Sequence, residues 1–227
     1  MKTAIVTGAS GNLGQAVVSK FLKEGYNVIG SVTGKNSIKI NDPKFEEVVV
    51  NLMDEEASRE FVEKMIARYK TIDVAVLTVG GFAAGKIAET TTADIMKQYK
   101  LNFETAYNVA RPVFSQMMKQ SNGRIFIVGS RPGLDAKNGK GMVAYGLAKS
   151  LIFRLADLMN DEAKGHNVVT NVVVPGTIDT PQNRKSMPDA KFDTWVKPEA
   201  IADVIYFHCT DEASILRETT IKVYGNA

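Results

Sequence analysis

The sequence predicts an α/β fold: one doubly wound domain over residues 1–227, built on a parallel sheet of seven strands. Three observations predict it. Short apolar runs of strand length alternate with amphipathic stretches of helical period along the whole chain, as repeated β–α–β crossovers require. The first run, Thr3-Ala4-Ile5-Val6, opens directly into a glycine turn and then a helical pattern. No repeat, low-complexity tract or linker interrupts the series, and 227 residues with 44% apolar side chains can bury one full core.

The turn is Thr7-Gly8-Ala9-Ser10-Gly11-Asn12-Leu13-Gly14. Apolar positions 13, 17, 18, 21 and 22 then recur with helical period, and Gly25 closes that helix. Strand, glycine turn and helix open a nucleotide-binding unit. Glycines let backbone approach a ligand closely, and a helix start offers free N–H groups to phosphate. Asn27 to Val32 reads as the second strand, whose end chooses between dinucleotides. An acid there would bond the ribose hydroxyls and repel a 2′-phosphate. Val32 stands there instead, and Ser31, Thr33 and Lys35 can meet the phosphate, so NADP(H) is favoured over NAD(H).

Phe45 to Val50 reads as the third strand, and Asp54 caps a helix over 55–69 with Ala57, Phe61, Met65 and Ile66 on its apolar face. Asp73 to Leu77 is the fourth strand, running into Thr78-Val79-Gly80-Gly81-Phe82. Thr91 to Gln120 carries one long helical pattern with Pro112 as a kink or break. Within it Asn102 lies between apolar neighbours expected to be buried, an uncomfortable place for a purely structural asparagine. Gly123 to Gly129 gives strand five, ending at Ser130, and 131–142 reads as a loop rich in Gly, Lys and Asn. A helix over 143–163 places Leu151, Ile152, Leu155 and Leu158 inside. Val168 to Val174 is strand six, followed by Pro175-Gly176-Thr177-Ile178-Asp179-Thr180-Pro181 and a polar segment to Lys197. The length and position of 182–197 suggest a mobile lid. A helix over 198–210 and a strand over 219–223 close the chain.

Tyr145 and Lys149, four apart in a helix, share one face. A free phenol titrates near pH 10, and lowering that by about 2–3 units takes roughly 3–4 kcal/mol, which a neighbouring ammonium and an oxidised nicotinamide can supply together. Such a phenol gives a proton to a substrate as hydride arrives. Ser130 lies at the carboxyl end of strand five, the edge where open α/β sheets bind ligands, and Asn102 precedes it in a neighbouring helix.

With the Gly8–Gly14 turn and Pro175-Gly176, this Asn-Ser-Tyr-Lys set resembles the short-chain dehydrogenase/reductase family, a Rossmann-fold family, across essentially the whole chain. The resemblance implies an NAD(P)H-dependent oxidoreductase that passes hydride to a carbonyl or quinonoid C=N substrate. In it Tyr145 is the general acid, Lys149 lowers its pKa and holds the nicotinamide ribose, Ser130 polarises the substrate, and Asn102 holds a water linking Lys149 to solvent. It implies cofactor contacts at Gly8, Ser10, Gly11, Asn12, Leu13 and Gly14. Asn51 and Leu52 fall where the adenine is held, Gly80 and Gly81 where backbone approaches the cofactor, and Pro175 and Gly176 at the nicotinamide end. The backbone of Ile178 and the hydroxyl of Thr180 correspond to carboxamide contacts. The chain departs from the family pattern at Asn12, which replaces a glycine, and in lacking two asparagines before Gly80. Fifteen residues separate Ser130 from Tyr145, two more than in the pattern, so the intervening loop must bulge.

The dihydropteridine reductase branch is resembled more closely still. Its motifs are matched by Gly80-Gly81-Phe82-Ala83-Ala84-Gly85, by Gly141-Met142-Val143-Ala144-Tyr145-Gly146-Leu147-Ala148-Lys149, and by Asp179-Thr180-Pro181-Gln182-Asn183-Arg184-Lys185-Ser186-Met187-Pro188 with Phe192 and Trp195 beyond. Phe82 stands where that branch has a Trp to stack on a flat pteridine, and is the expected substrate contact with Ser130 and Tyr145. Against the branch, Ser130 and Asn102 are kept and the acid after strand two is absent. Dihydropteridine reduction and carbonyl reduction both stay open. So does a catalytically idle dinucleotide sensor, although such sensors lose the Tyr or Lys present here.

Composition narrows the rest. A net charge of +3, with acids between the lysines, does not make a nucleic-acid footprint. A single cysteine and two separated histidines leave neither a disulfide nor a metal site. With no leader pattern before the first strand and no apolar run approaching about 18 residues, the expectation is a soluble cytoplasmic protein acting on a small molecule. The family resemblance adds a homodimer or homotetramer joined through the helices at 91–120 and 143–163.

Overall fold

The computed structural model describes residues 1–34, 38–217 and 220–226. Lys35, expected at the 2′-phosphate, and Thr219, expected to open the last strand, lie outside the described residues. The strands are β1 (Thr3–Thr7), β2 (Asn27–Val32), β3 (Phe45–Val49), β4 (Val74–Leu77), β5 (Asn122–Val128), β6 (Asn167–Pro175) and β7 (Thr220–Val223). All pair in parallel, in the order β3-β2-β1-β4-β5-β6-β7. The order reverses between β1 and β4, so the crevice of this sheet opens at their carboxyl ends.

The helices are α1 (Asn12–Lys23), α2 (Glu55–Tyr69), α3 (Thr92–Tyr99), α4 (Thr105–Gln120), α5 (Arg131–Leu134), α6 (Val143–Glu162), α7 (Pro181–Ser186) and α8 (Pro198–Phe207). Period-two alternation sends the strand side chains into two cores. Ala4, Val6, Val28 and Phe126 meet Val17 and Phe21 of α1 and Ile201 and Ile205 of α8. Ile5, Ile29 and Ile125 meet Phe61 and Met65 of α2, Val113 and Met117 of α4, and Ile152 of α6. Asp54 caps α2 by accepting from Ala57 N at 3.0 Å, as its sequence position implied.

Five expectations need correction. The helical pattern of 91–120 does not break at Pro112, which lies inside α4. The irregularity comes earlier, where Lys100–Glu104 forms a π-helical turn around Asn102. Residues 131–142 are not plain loop: Ser130 caps α5, and Ala136–Asn138 adds a 3-10 turn, so the segment before Tyr145 is partly helical. Leu151 and Leu158 are exposed rather than inside, because the buried stripe of α6 runs through Ala144, Ala148, Ile152, Ala156 and Met159. Leu101 and Phe103 beside Asn102 are only half-buried, and the last helix stops at Phe207.

Candidate active site

The glycine turn between β1 and α1 is held by its own backbone. Gly8 adopts φ +62°, a left-handed conformation natural to glycine, and its carbonyl accepts from Gly11 N at 2.9 Å. A Cβ on Gly14 would lie 2.2 Å from the Gly8 oxygen, so no larger residue fits there. Gly11 is the N-cap of α1 with no side-chain cap bond, and the first turn has no acid. Its N–H groups are therefore available to an anion. Ser10 is half-buried, and its carbonyl accepts from Gln15 Nε2 at 2.8 Å. Leu13 is buried. Asn12, in place of the pattern's glycine, is exposed and lines a groove of about 880 Å³ shared with Gln15, Lys23 and Lys197.

The neighbouring strand ends line the same edge. Thr33 is exposed just past buried Val32, whereas Ser31 is buried inside β2. Asn51 is exposed, and its Oδ1 accepts from Met53 N at 3.2 Å. The Leu52 side chain is in the core, and its carbonyl accepts from Asn108 Nδ2 at 3.0 Å. Beyond β4 the chain passes beside the glycine turn: Thr78 Oγ1 donates to Thr7 O at 2.7 Å, and a Cβ on Gly8 would lie 3.0 Å from Thr78 Oγ1.

Next to that crossing stands a connected cluster. Lys149 is 4% exposed, and its Nζ donates to Val128 O at 2.7 Å. A Cβ on Gly80 would lie 3.1 Å from Lys149 Nζ and 2.7 Å from Asn102 Oδ1, so glycine is needed for these groups to close in. Asn102 is fully buried; Gly81 N donates to its Oδ1 at 3.0 Å, and its Nδ2 donates to Gly81 O at 2.9 Å. Ser130 is buried at the end of β5, accepts from Gly133 N at 3.2 Å, and lies near enough to the Tyr145 phenol to favour its ionised form. Gly133 lets α5 press onto α6: a Cβ there would lie 2.6 Å from the Lys149 Cβ. Phe82, 63% exposed, meets the Tyr145 ring edge-on at 5.3 Å. Gly85 ties the same segment to the start of α6, with Gly85 N donating to Gly141 O at 2.8 Å and Val143 N to Gly85 O at 3.1 Å.

Electrostatically the cluster is dominated by burial. Burial raises the Tyr145 pKa, and the nearby Ser130 hydroxyl works the other way. Burial without a counter-charge pushes the Lys149 ammonium down to about 8.

The far wall follows β6. Pro175 ends that strand, and Gly176 N donates to Val223 O at 2.7 Å. Ile178 bridges to Val196, with Asp179 N donating to Val196 O at 2.8 Å. Thr180 caps α7 by accepting from Asn183 N at 3.1 Å. The 179–195 segment is internally tied: Arg184 donates to both Asp179 oxygens, at 2.6 and 2.8 Å, lies 4.7 Å over the Phe192 ring, and Phe192 packs edge-on against Trp195 at 4.8 Å. Asn102, Ser130, Tyr145 and Lys149 are thus brought together with Gly80, Gly81 and Phe82, while Asn12 lines the groove over α1. Sequence reasoning missed the Gly85 tie and Gln98, whose Oε1 accepts from Asn102 Nδ2 at 2.9 Å. Four-residue spacing on one helix could have found the second. Among the described residues no group of three or more His, Cys, Asp or Glu could hold a metal ion, and no helix is long and apolar enough to cross a membrane.

Comparison with known proteins follows the same lines. The family model for short chain dehydrogenase matches residues 2–191. A 3-oxoacyl-(acyl-carrier-protein) reductase FabG of Thermotoga maritima is 28% identical, over 99% of this chain and 96% of that protein. The Escherichia coli protein of the same name is 25% identical over the same shares. Among solved structures, ElxO with NADP bound superposes with a TM-score of 0.89 at 22% identity, covering 99% of this chain and 97% of its own. The structure of gox2181 gives 0.85 at 22% identity, covering 99% and 94%.

Proposed function

The chain belongs to the short-chain dehydrogenase/reductase family of NAD(P)-dependent oxidoreductases, and on that premise we propose that it reduces a carbonyl or quinonoid C=N substrate with Tyr145 as the proton donor. The observation that carries this reading is the gathering of Ser130, Tyr145 and Lys149 at the end of β5, with the Ser130 hydroxyl acting on the Tyr145 phenol and Gly80 against the Lys149 amine. The Gly14 cradle that a Cβ would fill and the uncapped start of α1 fit a dinucleotide pyrophosphate. A nicotinamide dinucleotide bound there supplies the hydride.

This chain's own groups do the rest. The Gly8–Gly14 turn and Gly80–Gly81 would give a dinucleotide close backbone approach, Asn51 and Leu52 would hold its adenine, and Ile178 and Thr180, beyond Pro175-Gly176, would hold its carboxamide. Ser130 orients the substrate oxygen or nitrogen, and Tyr145, kept protonated by burial, delivers its proton to that atom. Lys149 supplies positive charge beside the phenol and holds the ribose. NADPH is the favoured form because Val32 and Thr33 leave no acid to repel a 2′-phosphate.

Phe82 favours a flat substrate, since an exposed aromatic ring against the proton donor forms a ready wall for stacking. A quinonoid dihydropterin is therefore the first candidate. The names of the FabG relatives support the second, a 3-oxoacyl thioester. Comparative binding of NADPH and NADH, followed by turnover with quinonoid dihydropterin, ketones, aldehydes and a 3-oxoacyl thioester, tests the reading. Tight binding without turnover of any of them would favour the sensor instead.

We further propose a homodimer or homotetramer through α3, α4 and α6. Exposed Leu147, Leu151 and Leu158 on α6, and Met96 and Tyr107 on α3 and α4, support this surface. A cytoplasmic location fits the lone free Cys209.

A further inference from the structure

We propose that Gln98 is a positioning residue of the active site: its buried side-chain carbonyl holds the Asn102 amide in the plane that pins the Gly80–Gly81 turn, and so holds Phe82 against Tyr145. Gln98 is 5% exposed and Asn102 fully buried, so every N–H left without an acceptor there costs its full desolvation. The Asn102 amide has two N–H groups. One donates to Gly81 O at 2.9 Å and the other to Gln98 Oε1 at 2.9 Å, while Oδ1 accepts from Gly81 N at 3.0 Å. Three bonds in three directions fix the amide plane. Without Gln98, two remain, both on one residue, and the plane can swing about them.

That swing has consequences because the turn is crowded. The Gly80 Cα has Asn102 Oδ1 and Lys149 Nζ close by, and Phe82 follows two residues on, with its ring 5.3 Å from that of Tyr145. The segment is anchored at Gly81 by Asn102 and at Gly85 by the start of α6. Phe82 lies between the anchors, and Gln98 secures the first of them. The catalytic half of this inference rests on the proposed reductase reading; the structural half does not.

The test compares Gln98→Met, which keeps length but removes the acceptor, with Gln98→Glu, which keeps a carbonyl oxygen. Amide hydrogen exchange at Gly81, resolved by NMR on the full chain, needs no substrate. Gln98→Met should speed exchange at Gly81 by about tenfold and leave Ile5 in β1 unchanged, and Gln98→Glu should restore it. In turnover, Gln98→Met should lower kcat/KM for the organic substrate by about tenfold, with a smaller loss of NADPH affinity, because Gly80–Gly81 loosens while the Gly8–Gly14 turn is untouched. Unchanged Gly81 exchange in Gln98→Met, or exchange as fast in Gln98→Glu as in Gln98→Met, overturns the proposal. Should Gln98→Met not fold, Gln98→Asn, polar but too short to reach, replaces it under the same criteria. Failure of every substrate would count against the reductase reading alone, since the exchange result stands apart from it.

Discussion

The Lys149 amine donates to the carbonyl oxygen of Val128 at 2.7 Å, sealed from solvent beneath the end of β5. A backbone carbonyl offers a dipole but no charge, so the ammonium is buried at a cost, and its pKa falls from 10.5 to about 8. Between those values the unfolded chain holds a proton that the folded chain does not. Stability therefore rises with pH across that window, and the penalty is fully present below it.

For the reaction the sign is opposite. Lys149 serves as a cation, and Tyr145 stays protonated well above neutrality. The profile of kcat/KM for NADPH should be level below about pH 8 and fall above it. Lys149→Met should abolish both that fall and the rising stability slope, as read by steady-state rates and thermal unfolding. A wild-type profile level well above pH 8 would contradict the assignment.

Gly14→Ala should be severe. The added methyl meets backbone at 2.2 Å, which cannot yield as a side chain can, so a loss of at least about 1–3 kcal/mol and of NADPH binding is expected. Gly80→Ala meets the far ends of Asn102 and Lys149 instead, so it should spare stability more and reduce turnover. Thermal unfolding with cofactor titration checks both variants.

The Asp179–Arg184 pair is exposed on its arginine side, and such solvent-screened pairs contribute little to stability. Arg184→Ala should leave the melting temperature within a few degrees. It should nevertheless change the emission of the single tryptophan, because Arg184 lies over Phe192 and Phe192 packs on Trp195. A raised KM for the organic substrate would accompany it if the 182–197 segment closes over the site. Unaltered Trp195 emission would show that the clip is not maintained in solution.

The exposed leucines of α6 make the assembly testable. Sedimentation should give a multiple of the 24.8 kDa chain, and Leu151→Glu with Leu158→Glu should bring it to that mass without unfolding it. A wild-type monomer would remove the proposal.

Much of this architecture was legible because apolar runs and turn glycines are local signals. β2 begins and ends where its apolar run does, at Asn27 and Val32, and Asp54 caps α2 through its own oxygen. What could not be read was decided by contact. Pro112 is tolerated in α4, whereas the π turn at Asn102 has no composition of its own and goes with that side chain bonding Gly81. Leu151 and Leu158 follow a helical period that α6 uses for its outer surface, since small Ala148 and Ala156 make its inner one. For the site, spacing put Tyr145 and Lys149 on one face, but not the Val128 carbonyl that takes the amine.

Replacement of Tyr145 by Phe removes one oxygen and leaves the ring that Phe82 contacts. Turnover by Tyr145→Phe, measured beside NADPH affinity in the same preparation, should drop by at least about a hundredfold while affinity is retained. Turnover within a few-fold of wild type would mean that the proton comes from another group.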